Sequence, residues 1–145
     1  MNRFKQDLKT TVSAVVNPSE DPKKITDAIG LLFPSGNESD ISVGGNLVQA
    51  RFNGDAALKK VYDQVRIRRV LGAFRRLLRQ RSTDRSTSFL INKQAATKGL
   101  VVLCDQESES PLGPILVQLE TRSIQELIDW LAPPRQDEAK SSRQR

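Results

Sequence analysis

The chain has 145 residues, 37% of them hydrophobic and 28% charged, with a net charge of +6. That is enough chain for one domain with a core that needs no staple. One cysteine excludes an internal disulfide, and the absence of histidine excludes Ser-His-Asp and Cys-His catalysis and makes a zinc site improbable. No cofactor is expected.

Residues 4–16 read as a strand with Leu8, Thr10, Val12, Ala14 and Val16 on one face. No apolar run here is long enough for a signal peptide, and none elsewhere is long enough for a membrane span, so the expected location is the cytoplasm. NPSEDPKK supplies a turn and an acidic helix start. Ile25, Ala28, Ile29 and Leu32 then mark an amphipathic helix ended by Pro34, Ser35 and Gly36. SDISVGGNLVQARF predicts a β-hairpin turning at Gly44-Gly45. The glycines of VGGN lack the spacing of a phosphate-binding loop.

The segment 55–81 carries two apolar stripes. Leu58, Val61, Tyr62 and Val65 form one; Ile67, Val70, Leu71, Phe74, Leu77 and Leu78 form another, centred about 170° away. A straight helix cannot aim both at one core. The pattern predicts a break near Gln64–Ile67, or else one helix with a second apolar face against a partner. Residues 82–88 read as a loop, 89–92 as a strand, and 92–99 as one helical turn closed by Gly99. A strand follows at Leu100–Cys104, then a polar loop over 105–114 and a last strand at Ile115–Leu119. Ser123 can cap a final helix whose inward face is Ile124, Leu127, Ile128 and Leu131, with Trp130 as its core anchor and Pro133-Pro134 as its stop.

The order is β-α-β-β-α-α-β-β-β-α. The expected fold is α+β: a two-layer sandwich with an antiparallel or mixed sheet and helices on one face. Residues 1–133 form one domain, and 134–145 read as a disordered polar tail.

The basic charge is concentrated. Between residues 66 and 85 stand eight arginines against one acid, Asp84, more positive charge than the chain carries net. On a helical wheel the apolar residues span about 120°, while Arg68, Arg69, Arg75, Arg76 and Arg79 gather on the other side. Arg75 and Arg79 form a like-charge pair with no acid to relieve it. Such a face suits an external anion, and arginine suits bidentate contact with phosphate. Candidate nucleic-acid contacts are Arg66, Arg68, Arg69, Arg75, Arg76, Arg79 and Arg81. Asn92, Lys93 and Gln94, at a strand exit, could make closer polar contacts. A solvated or subunit-facing surface, a membrane and an acidic protein stay open as alternatives; the membrane reading is weaker because the apolar face is needed for the core. Phe4, Phe33, Phe52, Phe74 and Phe89 sit mostly at core-phase positions, which favours structured RNA or duplex over a single-strand stacking platform. Cys104 reads as a packed thiol. Asp105, Glu107 and Glu109 lack a cation-loop pattern, so no metal site is expected.

INKQAA (91–96), SPLGPI (110–115) and IDWLAP (128–133) together resemble an uncharacterised archaeal family, the dephospho-CoA kinase operon proteins, also described as predicted RNA-binding. NPSEDPKKI (17–25) and GLLFP (30–34) are similar to it as well, so the likeness covers residues 8–133. It implies a two-layer fold similar to the ribosomal protein that binds 5S RNA, an archaeal cytoplasm and no known catalytic activity. The family's middle motif resembles QRIRD; Gln64-Val65-Arg66-Ile67-Arg68-Arg69 matches in part, with Arg69 where an acid is common. The expectation is a non-enzymatic protein binding structured RNA, with a homodimer left open. The alternative is a protein-interaction or regulatory module linked to coenzyme A metabolism.

Overall fold

The computed structural model describes residues 7–34 and 41–134. The start of the first expected strand, Phe4, Ser35, Gly36, the start of the hairpin segment and the polar tail beyond residue 134 lie outside them.

Six strands form one sheet: β1 (Lys9–Val15), β2 (Ile41–Gly44), β3 (Leu47–Asn53), β4 (Ser86–Ile91), β5 (Leu103–Cys104) and β6 (Ile115–Glu120). Their order is β2-β3-β1-β6-β4-β5, and every neighbouring pair is antiparallel. The registers align Ala50, Val12, Val117 and Phe89 in one row across the four central strands. Because side chains alternate along a strand, this row and its neighbours Thr10, Ala14, Ile115 and Leu119 form one buried face. The opposite face carries Thr11, Ser13, Gln49, Ser88 and Gln118, none of them buried.

The apolar face needs a cover, and the helices supply it: α1 (Pro22–Leu32), α2 (Lys59–Ile67), α3 (Leu71–Gln80), the single turn α4 (Lys93–Ala96) and α5 (Ile124–Leu131). Their stripes enter the same core as expected: Ile25, Ala28, Ile29 and Leu32 from α1, and Ile124, Leu127, Ile128 and Leu131 from α5. Asp21 starts α1, its carboxylate accepting from the Lys23 N–H at 3.0 Å. In the core, Phe74 of α3 meets Phe89 of β4 edge to face at 4.9 Å. The fold is thus the expected α+β sandwich, with a wholly antiparallel sheet.

Several local expectations are corrected. The hairpin turns at Gly45-Asn46, since Gly44 still pairs with Leu47; Gly45, at φ 57°, takes the left-handed corner. Residues 86–88 are strand: Thr87, expected in a loop, faces the core and its hydroxyl donates to Leu78 O at 2.6 Å. The strand at 100–104 contracts to two residues, leaving Leu100 exposed. Ser123 begins α5 without a side-chain cap bond. Trp130 is half-buried and stacks on Tyr62 at 5.1 Å rather than lying in the core.

The break between the two stripes exists, but it lies at Arg68–Val70. Its hydrogen bonds explain it: Val70 N–H donates to Val65 O at 3.0 Å and Arg69 N–H to Arg66 O at 3.2 Å. This is the Schellman ending of a helix, with Arg69 in its left-handed position at φ 58°. Val65 and Val70 both reach the core from either side of the turn. Ile67 does not: α2 still contains it, so it keeps the phase of the first helix and points outward, 78% exposed. Glycine is the residue that this left-handed position favours, and arginine there costs about 1 kcal/mol. Arg69→Gly should therefore raise stability by about that amount and the melting temperature by a few degrees, as read by calorimetry. An unchanged or lower melting temperature would refute the strain at this turn.

Candidate nucleic-acid interface

The arginines divide into two sets once the break is in place. Arg66 lies in the last turn of α2 and turns inward. Its guanidinium lies 3.3 Å from the centroid of the Tyr62 ring and donates to Tyr62 O, Trp130 O and Leu131 O at 2.9, 2.9 and 3.2 Å. Arg75, on α3, donates to Ala132 O at 3.0 Å and to the Asp129 carboxylate at 2.8 Å. Both therefore close the carboxyl end of α5, which has no basic residue of its own in its last turn. Cations there offset the partial negative charge of the unpaired carbonyls. The expected unrelieved pair Arg75–Arg79 is corrected: Asp129 relieves it from a neighbouring helix.

The other set stays outside. Arg68 and Arg69 stand exposed on the turn between α2 and α3, and Arg76 and Arg79 follow on the outer side of α3. Phe74, Leu77 and Leu78 hold the inner side, so these guanidiniums are held on a helix that cannot roll. Arg76 meets Asp105 at 3.7 Å, an exposed pair of the kind worth little in water. Among the described residues, no hydrogen bond or ion pair engages the side chains of Arg68, Arg69 and Arg79. No side chain caps the amino end of α3 and no acid lies in its first turn, so its positive end is uncompensated beside Arg68 and Arg69. Arg81 reaches the other way, around the edge of β4, to Ser88 Oγ at 3.4 Å.

Asn92, Lys93 and Gln94 occupy a separate place, at the far end of β4. Asn92 caps α4, its side-chain oxygen accepting from Ala95 N–H at 2.9 Å. Lys93 is 1% exposed, and its three donors are all taken: Val15 O at 2.7 Å, Leu112 O at 2.7 Å and Glu20 Oε1 at 3.0 Å. Gln94 donates to Pro111 O at 3.0 Å. These residues tie the 110–114 loop and the start of α1 to the sheet, and the structure does not bring them to the arginine face. That role left no mark in the local pattern, because Glu20 and Leu112 lie 73 and 19 residues from Lys93.

Burial by itself raises the pKa of Glu20, but hydrogen bonds from the Asn17 backbone and side chain and from Lys93 outweigh it and hold the carboxyl below its usual value. Cys104 is buried and its thiol is pushed up, by burial first and by Glu109 second, which suits packing rather than nucleophilic chemistry. Among the described residues no group of three potential ligands could hold a metal ion, and no helix is long and apolar enough to cross a membrane.

A fold with one covered sheet face and an arginine-bearing helix on its outer layer is the setting for comparison with known proteins. A family model described as RNA binding matches residues 9–121. The chain is 40% identical over 126 residues to a UPF0201 protein of Methanothermobacter thermautotrophicus, covering 86% of this chain and 91% of that one. It is 37% identical to a UPF0201 protein of Sulfurisphaera tokodaii, covering 86% and 87%. Among solved structures, an uncharacterised UPF0201 protein superposes with a TM-score of 0.73 at 22% identity, over 87% of this chain and 94% of that one. The UPF0201 protein of Methanococcus jannaschii gives 0.70 at 24%, over 88% and 95%. The chain belongs to this RNA-binding family, whose archaeal relatives are the UPF0201 proteins.

Two outcomes test the division of the polar residues. Arg66→Ala, which strips three carbonyls of a charged donor, should cost about 2 kcal/mol, while Arg79→Ala should change stability by less than about 0.5 kcal/mol; urea melts read both. For Glu20 the lowered folded pKa sets the sign. Its stabilisation is complete above the ordinary carboxylate range and is lost as pH falls through the folded value. Glu20→Ala should cost about 3–5 kcal/mol at neutral pH by leaving Lys93 buried without its counter-charge. The same variant should flatten the acid limb of stability against pH. Equal acid limbs in both proteins would remove Glu20 from the account.

Proposed function

We propose that the protein is a non-enzymatic binder of structured RNA, held through its phosphates by the outer arginines of the α2–α3 unit. The observation that carries this is the division just described. Arg66 and Arg75 have partners inside the fold; among the described residues the side chains of exposed Arg68, Arg69 and Arg79 have none, and exposed Arg76 meets only Asp105, at 3.7 Å. Like charges held together at the surface repel, and an anion along that surface removes the repulsion. Guanidinium forks match phosphate oxygens, and the positive end of α3 adds to the same field. The family's description as RNA binding supports the same class of partner. Asn92, Lys93 and Gln94 are not in the proposed contact set, and Arg66 and Arg75 act through the fold. Arg81 sits at the edge of β4, where RNA crossing onto the sheet would meet it.

Phosphate binding releases counterions, so each contact adds about 0.7–0.9 to the magnitude of the slope of log affinity against log salt. Replacing Arg68, Arg76 and Arg79 together with Ala should reduce that slope by about 2 and weaken binding to structured RNA, with the melting temperature nearly unchanged. Slope and affinity equal to the unaltered protein's would place the site elsewhere. Pull-down with and without nuclease separates this reading from a protein-interaction module linked to coenzyme A metabolism: a partner that survives nuclease supports the module.

A further inference from the structure

Ile67 is the most exposed of the large hydrophobic residues among those described, at 78%. Single exposed aliphatics are common on protein surfaces; the position of this one is not. It is the last residue of α2, followed directly by exposed Arg68 and Arg69 in the turn into α3. The turn is rigid, closed by its two backbone bonds and by Val65 and Val70 in the core. It also keeps an arginine in the left-handed position that glycine occupies more easily. One turn earlier, Gln64 holds Gly99 O at 2.8 Å and Val101 N–H at 2.6 Å, the residues on either side of exposed Leu100. The corner therefore presents a small apolar tip immediately beside guanidiniums.

We propose that this corner is a wedge that docks Ile67 against an unpaired base of the RNA while Arg68 and Arg69 grip the flanking phosphates. The proposal rests on the RNA reading above and narrows the partner to RNA with a bulge or loop. The charge around the tip selects the partner. A membrane-surface helix or a helix-docking groove needs an extended apolar face, and the apolar face of α3 is committed to the core. One aliphatic side chain beside the exposed Arg68 and Arg69 matches one base face beside its phosphates. In an uninterrupted RNA helix the base faces are stacked on one another, and the accessible groove displays hydroxyls and base edges. An apolar surface is offered where a base has left the stack, and aliphatic side chains are known to pack against base faces when they wedge between the steps of duplex DNA.

The test measures binding of the full chain to a hairpin RNA with one unpaired bulge nucleotide and to the matched fully paired hairpin, across a salt series. The unaltered protein should prefer the bulged RNA. Ile67→Ala should weaken that binding about tenfold and erase the preference, without changing the salt slope because no charge is removed. Ile67→Leu should restore most of it. The exposure of Ile67 predicts an unchanged melting temperature, which is measured alongside. Equal binding of the two RNAs, unaffected by Ile67→Ala but weakened by Arg76→Ala and Arg79→Ala, overturns the wedge and leaves the RNA reading standing. No binding to either RNA at low salt overturns both. Loss of binding to phosphatidylserine vesicles on Ile67→Ala, with RNA binding unaltered, overturns the wedge in favour of a lipid surface.

Discussion

Two apolar stripes on opposite sides of a straight helix cannot reach one core, and residues 55–81 carry two such stripes over a sheet with one face to cover. The turn at Arg68–Val70 resolves the conflict. It ends α2 while Val65 still faces inward and starts α3 with Phe74, Leu77 and Leu78 in phase with the same core. The arrangement of the surface follows from it. Residues before the turn keep the phase of α2, so Arg66 reaches α5 and Ile67 faces solvent. Residues after it keep the phase of α3, so Arg75 reaches α5 and Arg76 and Arg79 do not. The turn sorts arginines that look alike in sequence into braces and bare charges.

The braces meet at the carboxyl end of α5. Trp130, Leu131 and Ala132 present carbonyls at the end of α5, and Arg66 and Arg75 arrive from two different helices to donate to them. Tyr62 stacks on Trp130 and carries the Arg66 guanidinium over its ring, completing the contact of α2 with α5. On the other side of the molecule, Lys93 and Glu20 do the corresponding task for α1, β1 and the 110–114 loop. There a buried charge is tolerable because every donor on the ammonium has an acceptor. These two polar knots hold the helical layer against the sheet, and with it the surface on which the outer arginines stand.

Much of the fold was legible in the linear order of residues. Period-two alternation marked β1 and β3, and period-3.6 stripes marked α1 and α5, because each of these elements buries one face against a single apolar layer. Thr87 was less legible: Ser, Thr and Asp around it look like a loop, and the strand is formed by pairing with β6 and by the bond to Leu78, neither of which is local. The arginine face was visible as charge density but not as function. A wheel drawn from Arg66 assumes one continuous helix, and the left-handed residue in its middle rotates everything that follows.

By itself the sequence determined the class of fold, the conflict between two apolar stripes in the long helical segment and the concentration of arginine near it. Those properties depend on spacing along the chain, and spacing is written in the order of residues. Only the tertiary structure decided where the break falls, which arginines face α5 and which face solvent, and that Lys93 is interior. Those depend on what lies opposite each side chain, and the deciding partners, Asp129, Leu131, Glu20 and Leu112, are brought near by folding rather than by sequence.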